Sequence, residues 1–474
     1  MKKLFAATAM LFFCNLQTVV KAAPPAPEII HLSEAYELAN IVLALTPYGK
    51  SDQWEVNKNS VYYNEVIAWF DQYADDPLLA KVNYSREGWE RYLSFRTDGY
   101  AFDFAKDNRL VRTKNFYANK GFNPFEENID LLNQFVKRSR FRQFYKKHDA
   151  YYKKLAKSYL ESQRYPEMLS FLQHEFGNSE HQAGYAIVLS PLVGRMNCHR
   201  KVAGIGTDFI TVPEYLLNGQ AVQTASREEL ASGIHMLFTE LDHGFVNPAS
   251  LKYGEHLKTE FDVRKWDSGS GYEKFEQATF NEYMTWGVYD LYLQTYFADV
   301  ARKVSTDWAL QNESRGFYAS SLFNRELASL YQQRKKGETI KDLYPALLKR
   351  LAQIQNTLRK PFVSSADIHK KVMQDTVQTV LIHFSEPMVA LDSLDIIKST
   401  DQKGSTAIRQ MLDGENNRLE WSEDGTVLSF NIRLISGCVN TLMFNKPWGT
   451  SIMVSSAKGI DLSPYTVVHL AVKN

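Results

Sequence analysis

Apolar positions recur every three or four residues through most of the chain and every second residue near its end. The sequence therefore divides into a helical body and a β-rich tail. Ala35, Leu38, Ile41, Val42 and Leu45 mark one helical face, and Val66, Ile67, Trp69 and Phe70 another. Residues 125–160 carry a long helical pattern through Ile129, Leu132, Phe135, Val136, Phe144, Leu155 and Tyr159. A later stripe runs through Leu230, Ile234, Leu237, Phe238, Leu241 and Phe245. Ser226 with Glu229 three residues on is a capping box that starts this helix, and Gly244 then Pro248 are expected to end it. An aromatic-rich helix follows through Phe275, Ala278, Phe280, Tyr283, Trp286, Val288, Leu291 and Tyr292, and another over 340–358. Short β-rich runs at 185–193 and 208–212 come just before the Ser226 helix. In the tail, Val380, Ile382 and Phe384 alternate, as do Leu428, Phe430 and Ile432, and Val468, Leu470 and Val472. The expected class is α+β, a mostly helical body with a small sheet and a C-terminal all-β sandwich. The expected divisions are a leader at 1–22, a helical region at 23–170, the helices and small sheet at 171–362, a linker at 361–365 and the sandwich at 366–474.

The first residues change the picture of where this body works. Lys2 and Lys3 precede a short apolar run, and Val20-Lys21-Ala22 offers a signal-peptidase site, so an exported periplasmic or extracellular protein is expected. Cys14 could suggest a lipid anchor, but Phe13 before it is bulky where such sites want a small residue. No later stretch approaches the roughly 20 apolar residues of a membrane span. Loss of Lys2, Lys3 and Lys21 with the leader moves the formal charge from +1 to about −2, which excludes nucleic acid as an expected partner. Basic residues at Lys137, Arg138, Lys146, Lys147, Lys153 and Lys157 are accordingly read as a solvated helix face. Cys198 and Cys438 fall in different domains and are expected as two isolated thiols.

The chemistry gathers on the Ser226 helix. At about 100° per residue, Thr239 and His243 lie opposite the apolar stripe with Glu240 to one side. Zincins use His-Glu-x-x-His, two imidazoles one turn apart holding zinc and a glutamate activating its water. Thr239-Glu240-Leu241-Asp242-His243 keeps the Glu and the second His, with a weakly basic hydroxyl in place of the first His. Glu282, preceded by Asn281 inside the next apolar helix, is costly there unless it is paired or bound to a cation. Two groups on the same helix do not replace the missing imidazole. His235 sits eight residues before His243, about 12 Å along a helix, and Asp242 points about 100° away. His199 and His256 are expected in loops from which they could reach the site in three dimensions, though nothing in the sequence demands it. His174-Glu175 with His181 has the wrong spacing for a metal helix, and Gly177 and Asn178 interrupt it. Tyr283, Tyr289 and Tyr318 are candidate oxyanion donors, with core packing the commoner role for such tyrosines.

Leu192 to Gly194 after a strand, the run from Thr239 to Pro248, and the Asn281-Glu282 helix together resemble a family of exported bacterial proteins common in Bacteroidetes that carries gluzincin-like helices. The tail, with Phe384-Ser-Glu-Pro-Met388 and Asp424-Gly425, resembles a bacterial immunoglobulin-like domain. The first resemblance implies a zincin-like domain over 171–362 and a zinc metallopeptidase acting on peptide or protein. Glu240 would be its general base, and His243 and Glu282 would be metal ligands. Thr239 puts zinc, and with it turnover, in question. The alternative is an inactive pseudo-peptidase that keeps the cleft to bind a peptide or partner. A third reading leaves Glu240, His243 and Glu282 as hydrogen-bonding groups of a structural or glycan-associated protein.

Overall fold

The computed structural model describes residues 30–52, 55–85, 88–119, 121–177, 185–194, 198–202, 207–213, 225–369 and 377–472. The leader and His181 lie outside them. A four-stranded sheet is the seam of the helical body. Its strands β1 (Ile30–His31), β2 (Tyr185–Ser190), β3 (Cys198–Val202) and β4 (Thr207–Pro213) lie in the order β1-β2-β4-β3. β1 and β4 flank β2 in parallel, and β3 alone is antiparallel, at one edge. Side chains alternate along a strand, so Ala186 and Val188 enter one core while Ile187 and Leu189 enter another. Burial on both faces explains why β2 reads as an unbroken apolar run.

The first core is built from the N-terminal helices around α1 (Glu34–Leu45), whose N-cap Ser33 accepts from the Tyr36 amide. The pattern over 125–160 resolves into four helices rather than one, with Arg140 in the left-handed region (φ 55°) turning the chain between two of them. Lys137, Arg138, Lys146, Lys147, Lys153 and Lys157 are exposed, the solvated face that was expected.

The second core lies on the other side of the sheet. Ser226 and Glu229 form the expected capping box at the start of α2 (Arg227–Gly233). The helix then breaks at Ile234 and restarts as α3 (His235–Leu251), which passes through Gly244 and Pro248 instead of stopping there. Pro248 lies within the last turn, where its missing N–H forfeits only the bond to the Gly244 carbonyl. Packing of α3 against the sheet and against α4 (Glu276–Tyr296) outweighs that loss. α5 (Ala301–Ser314), α6 (Ser320–Gln333) and α7 (Tyr344–Ile354) complete the layer.

The tail is a sandwich of two antiparallel sheets. Its strands are β5 (Val363–His369), β6 (Val377–Phe384), β7 (Ser393–Thr400), β8 (Ile408–Asp413), β9 (Glu420–Trp421), β10 (Val427–Arg433), β11 (Val439–Phe444) and β12 (Thr466–Ala471). They order as β8-β7-β11-β12 and β9-β10-β6-β5. The alternating residues of β6, β10 and β12 supply its core, as their period predicts. β5 begins at Val363, inside the expected linker, because that residue already pairs with Phe384. The class is α+β. Ile460 of the sandwich packs into the second helical core, so the two parts share a junction. Among the described residues, no helix is long and apolar enough to cross a membrane. Cys438 is buried, its thiol directed at the Ile435 carbonyl 3.2 Å away.

Candidate functional site

α3 and α4 pack side by side, and they bring His243 and Glu282 together across their interface. His243 Nε2 lies 3.7 Å from Glu282 Oε1, and both side chains are mostly buried. On its other side the imidazole meets Asn247 Oδ1 at 3.4 Å, one helical turn on, and Thr285 Oγ1 at 3.5 Å. An amide oxygen only accepts, so the Asn247 contact favours a proton on Nδ1. The sequence placed these two residues on separate helices, and the fold does bring them together.

Thr239 and Glu240 depart from expectation. A helix with one apolar stripe should leave them on its open side, yet they are 6 % and 7 % exposed. The reason is that α3 is covered on more than one face, by β3 and β4 as well as by α4. Inside that cover the Thr239 hydroxyl is satisfied by its own helix, donating to the Met236 carbonyl at 3.2 Å.

Two further groups reach the site from a loop. The phenol of Tyr272 is pushed above its usual range first by the charge of Glu282 and then by burial, with Arg315 opposing and Glu240 adding to the shift. Tyr272 is thus within electrostatic reach of both glutamates and of Arg315. The loop is tied down from the other side: Ser268 N donates to the Gly316 carbonyl at 2.8 Å, and Asp267 bridges to Phe317. Gly316 has φ 109°, and a Cβ there would stand 2.6 Å from Ser270 N, so only glycine lets the two segments close. Sequence reasoning missed Tyr272 and Arg315; the Asp267-Ser-Gly-Ser-Gly271 turn beside them was the available signal.

The remaining candidates fall elsewhere. Tyr283 donates to the Trp266 carbonyl at 2.5 Å, Tyr289 to the Ala231 carbonyl, and Tyr318 accepts from the Lys360 amide, so all three hydroxyls serve packing. Glu175 is a buried clamp that accepts from Tyr331 at 2.7 Å and from the Ile340 amide at 2.9 Å. His256 is exposed on the helix Gly254–Glu260 rather than in a loop. His199 lies on β3, also not in a loop, and its side chain is outside the described ones. His235 stacks on Trp308 at 3.5 Å, buried and directed away from His243 by eight residues of helix. Asp242 is fully buried and neither carboxylate oxygen has a hydrogen-bond partner among the described residues. Burial, then the charge of Glu282, pushes its pKa well above the ordinary carboxylate range.

These positions test the fit of a catalytic zinc. Two ligands 3.7 Å apart, each about 2.1 Å from an ion, subtend about 124°, an angle that a four- or five-coordinate zinc tolerates. A catalytic zinc needs three protein ligands, however, and the third zincin position holds a hydroxyl already bonded to Met236. Among the described residues, no three His, Cys, Asp or Glu side chains converge on one point. Among the described residues the donor set falls one short of such a metal. No protein-family model matches the chain, and no curated protein matches it.

Proposed function

We propose that the chain is an exported pseudo-peptidase of the gluzincin type, a module that holds a peptide in the cleft beside α3 and α4 without zinc-dependent turnover. The observation that carries this reading is the position of β3. It is the single antiparallel strand, it ends the sheet among the described residues, and it packs beside α3. An extended peptide can add to such an edge by main-chain hydrogen bonds and so lie across Glu240, His243 and Glu282. Two carboxylates at that point favour a peptide carrying a basic side chain there. Export rests on the leader, and kinship with the Bacteroidetes family rests on the motifs of α3 and α4.

The weakly active zinc peptidase remains the second reading, favoured by the 3.7 Å spacing of His243 and Glu282. One experiment separates the two. Purified full-length protein is titrated into labelled peptides differing in one Lys, Ala or Glu, and the mixtures are then analysed by mass spectrometry with and without chelator. The pseudo-peptidase reading expects tighter binding of the Lys peptide, weakened by Glu282→Gln, and intact peptides throughout. Cleavage products that vanish with chelator would establish the peptidase instead. Equal affinity for all three peptides would remove the proposed role of the carboxylates.

A further inference from the structure

A cavity of about 600 Å³ opens between the helical body and the sandwich, lined by α4, α5 and α6 on one side and by sandwich residues 389, 391, 451–453, 455 and 459 on the other. It begins at Asp290, about two turns along α4 from Glu282, and is separate from the cleft discussed above. Its volume is that of a small-molecule site.

The charges around it are unbalanced. Arg302 and Arg325 both line the cavity, both are exposed, and neither makes a hydrogen bond or ion pair with another described residue. Arg325 is seated against the sandwich turn at Gly459, where a Cβ would come within 2.7 Å of its Nη2. The one carboxylate in the lining does not neutralise them. Asp290 accepts from Gln294 at 2.8 Å and from the Ser305 hydroxyl, and burial raises its pKa. Ala301, Ala309, Leu391 and Ile452 supply an aliphatic wall.

We propose that this cavity binds a small amphiphilic anion, with a carboxylate or phosphate head between Arg302 and Arg325 and an aliphatic body against Ala301, Ala309, Leu391 and Ile452. Guanidinium groups pair with either head, and a ligand spanning both walls would hold the sandwich to the helical body. The test is calorimetric titration of the full chain with octanoate, octyl phosphate and neutral octanamide. At least one anion should bind about tenfold or more tightly than the amide, and the tighter of the two identifies the natural head group. Arg302→Gln and Arg325→Gln should each reduce that preference severalfold and together abolish it. Both side chains are exposed, so ligand-free thermal unfolding should not change, which guards against a folding artefact. Equal affinity for octanamide, no anion binding at millimolar concentration, or affinity unaltered in the double variant would each overturn the proposal.

Discussion

Restoring the missing imidazole is the most direct probe of the α3–α4 site. Residues 239 and 243 are one turn apart, about 6 Å in axial rise, so a histidine at 239 would stack on the face that carries His243. Thr239→His discards the bond to the Met236 carbonyl, worth about 1 kcal/mol net, and forces three extra heavy atoms into a site only 6 % exposed. Overpacking of that kind costs about 1–3 kcal/mol, so the metal-free variant should unfold at lower temperature than the parent. Zinc should reverse the loss. His243 and Glu282 already stand 3.7 Å apart, and a third donor completes a catalytic set. Removing a mere outer-shell partner costs about 10- to 100-fold in metal affinity, so gaining a direct ligand should raise zinc affinity by more than about 100-fold. Zinc at about 100 times its dissociation constant would then return about 2.7 kcal/mol of stability. Calorimetric zinc titration of stripped protein, with thermal unfolding in zinc and in chelator, measures both effects. Thr239→His combined with Glu282→Ala should lose the gain. A folded Thr239→His protein with unchanged zinc affinity would show that position 239 does not address the point shared by His243 and Glu282.

Three buried groups give independent predictions. Burial, then Arg315, lowers the His235 pKa from 6.5 to about 3, so its contribution is intact above pH 6.5 and is lost as pH falls toward 3. That loss amounts to about 3 kcal/mol by pH 4, and His235→Phe should flatten the decline in chemical stability over this range; an unchanged pH slope would contradict it. Asp242 shifts the opposite way: its raised pKa removes stability as pH climbs above the ordinary carboxylate range. Asp242→Asn should therefore gain on the parent protein progressively from pH 5 to pH 9 in denaturant titrations, and a constant difference would refute the assignment. At the junction, Lys360 pairs with buried Glu313, whose pKa is raised to about 8 by burial, with the neighbouring Asp461 adding to the shift. Above pH 8, where Glu313 ionises, Lys360→Met leaves that carboxylate uncompensated and should cost about 3–5 kcal/mol in denaturant titrations, much of it recovered by adding Glu313→Gln, with a smaller cost at pH 6; a cost independent of pH would contradict this.

What could be read from the sequence tracks the range of the interactions involved. Faces set by local period were legible: α1, α4, and strands β6, β10 and β12 fall where their apolar residues repeat. β3 was not, because Cys-His-Arg-Lys-Val has no alternation and is a strand only through its pairing with β4. The passage through Pro248 was hidden for the same reason, since it rests on the packing of α3 against the sheet and α4. His243 and Glu282 were found through the spacing that zincins impose, whereas Tyr272 and Arg315 depend on a clasp between distant loops that only Gly316 permits.

Thr239 shows how such a miss bears on function. Treated as an open-face residue, its hydroxyl could have turned toward a metal or a water. It is instead buried, must find a partner in the dry interior, and the Met236 carbonyl one turn back is within reach. Its proton is committed to its own helix, and a neutral hydroxyl is a weak metal donor beside an imidazole. Threonine at position 239 therefore leaves His243 and Glu282 one donor short among the described residues, and an imidazole at that position is what Thr239→His would restore.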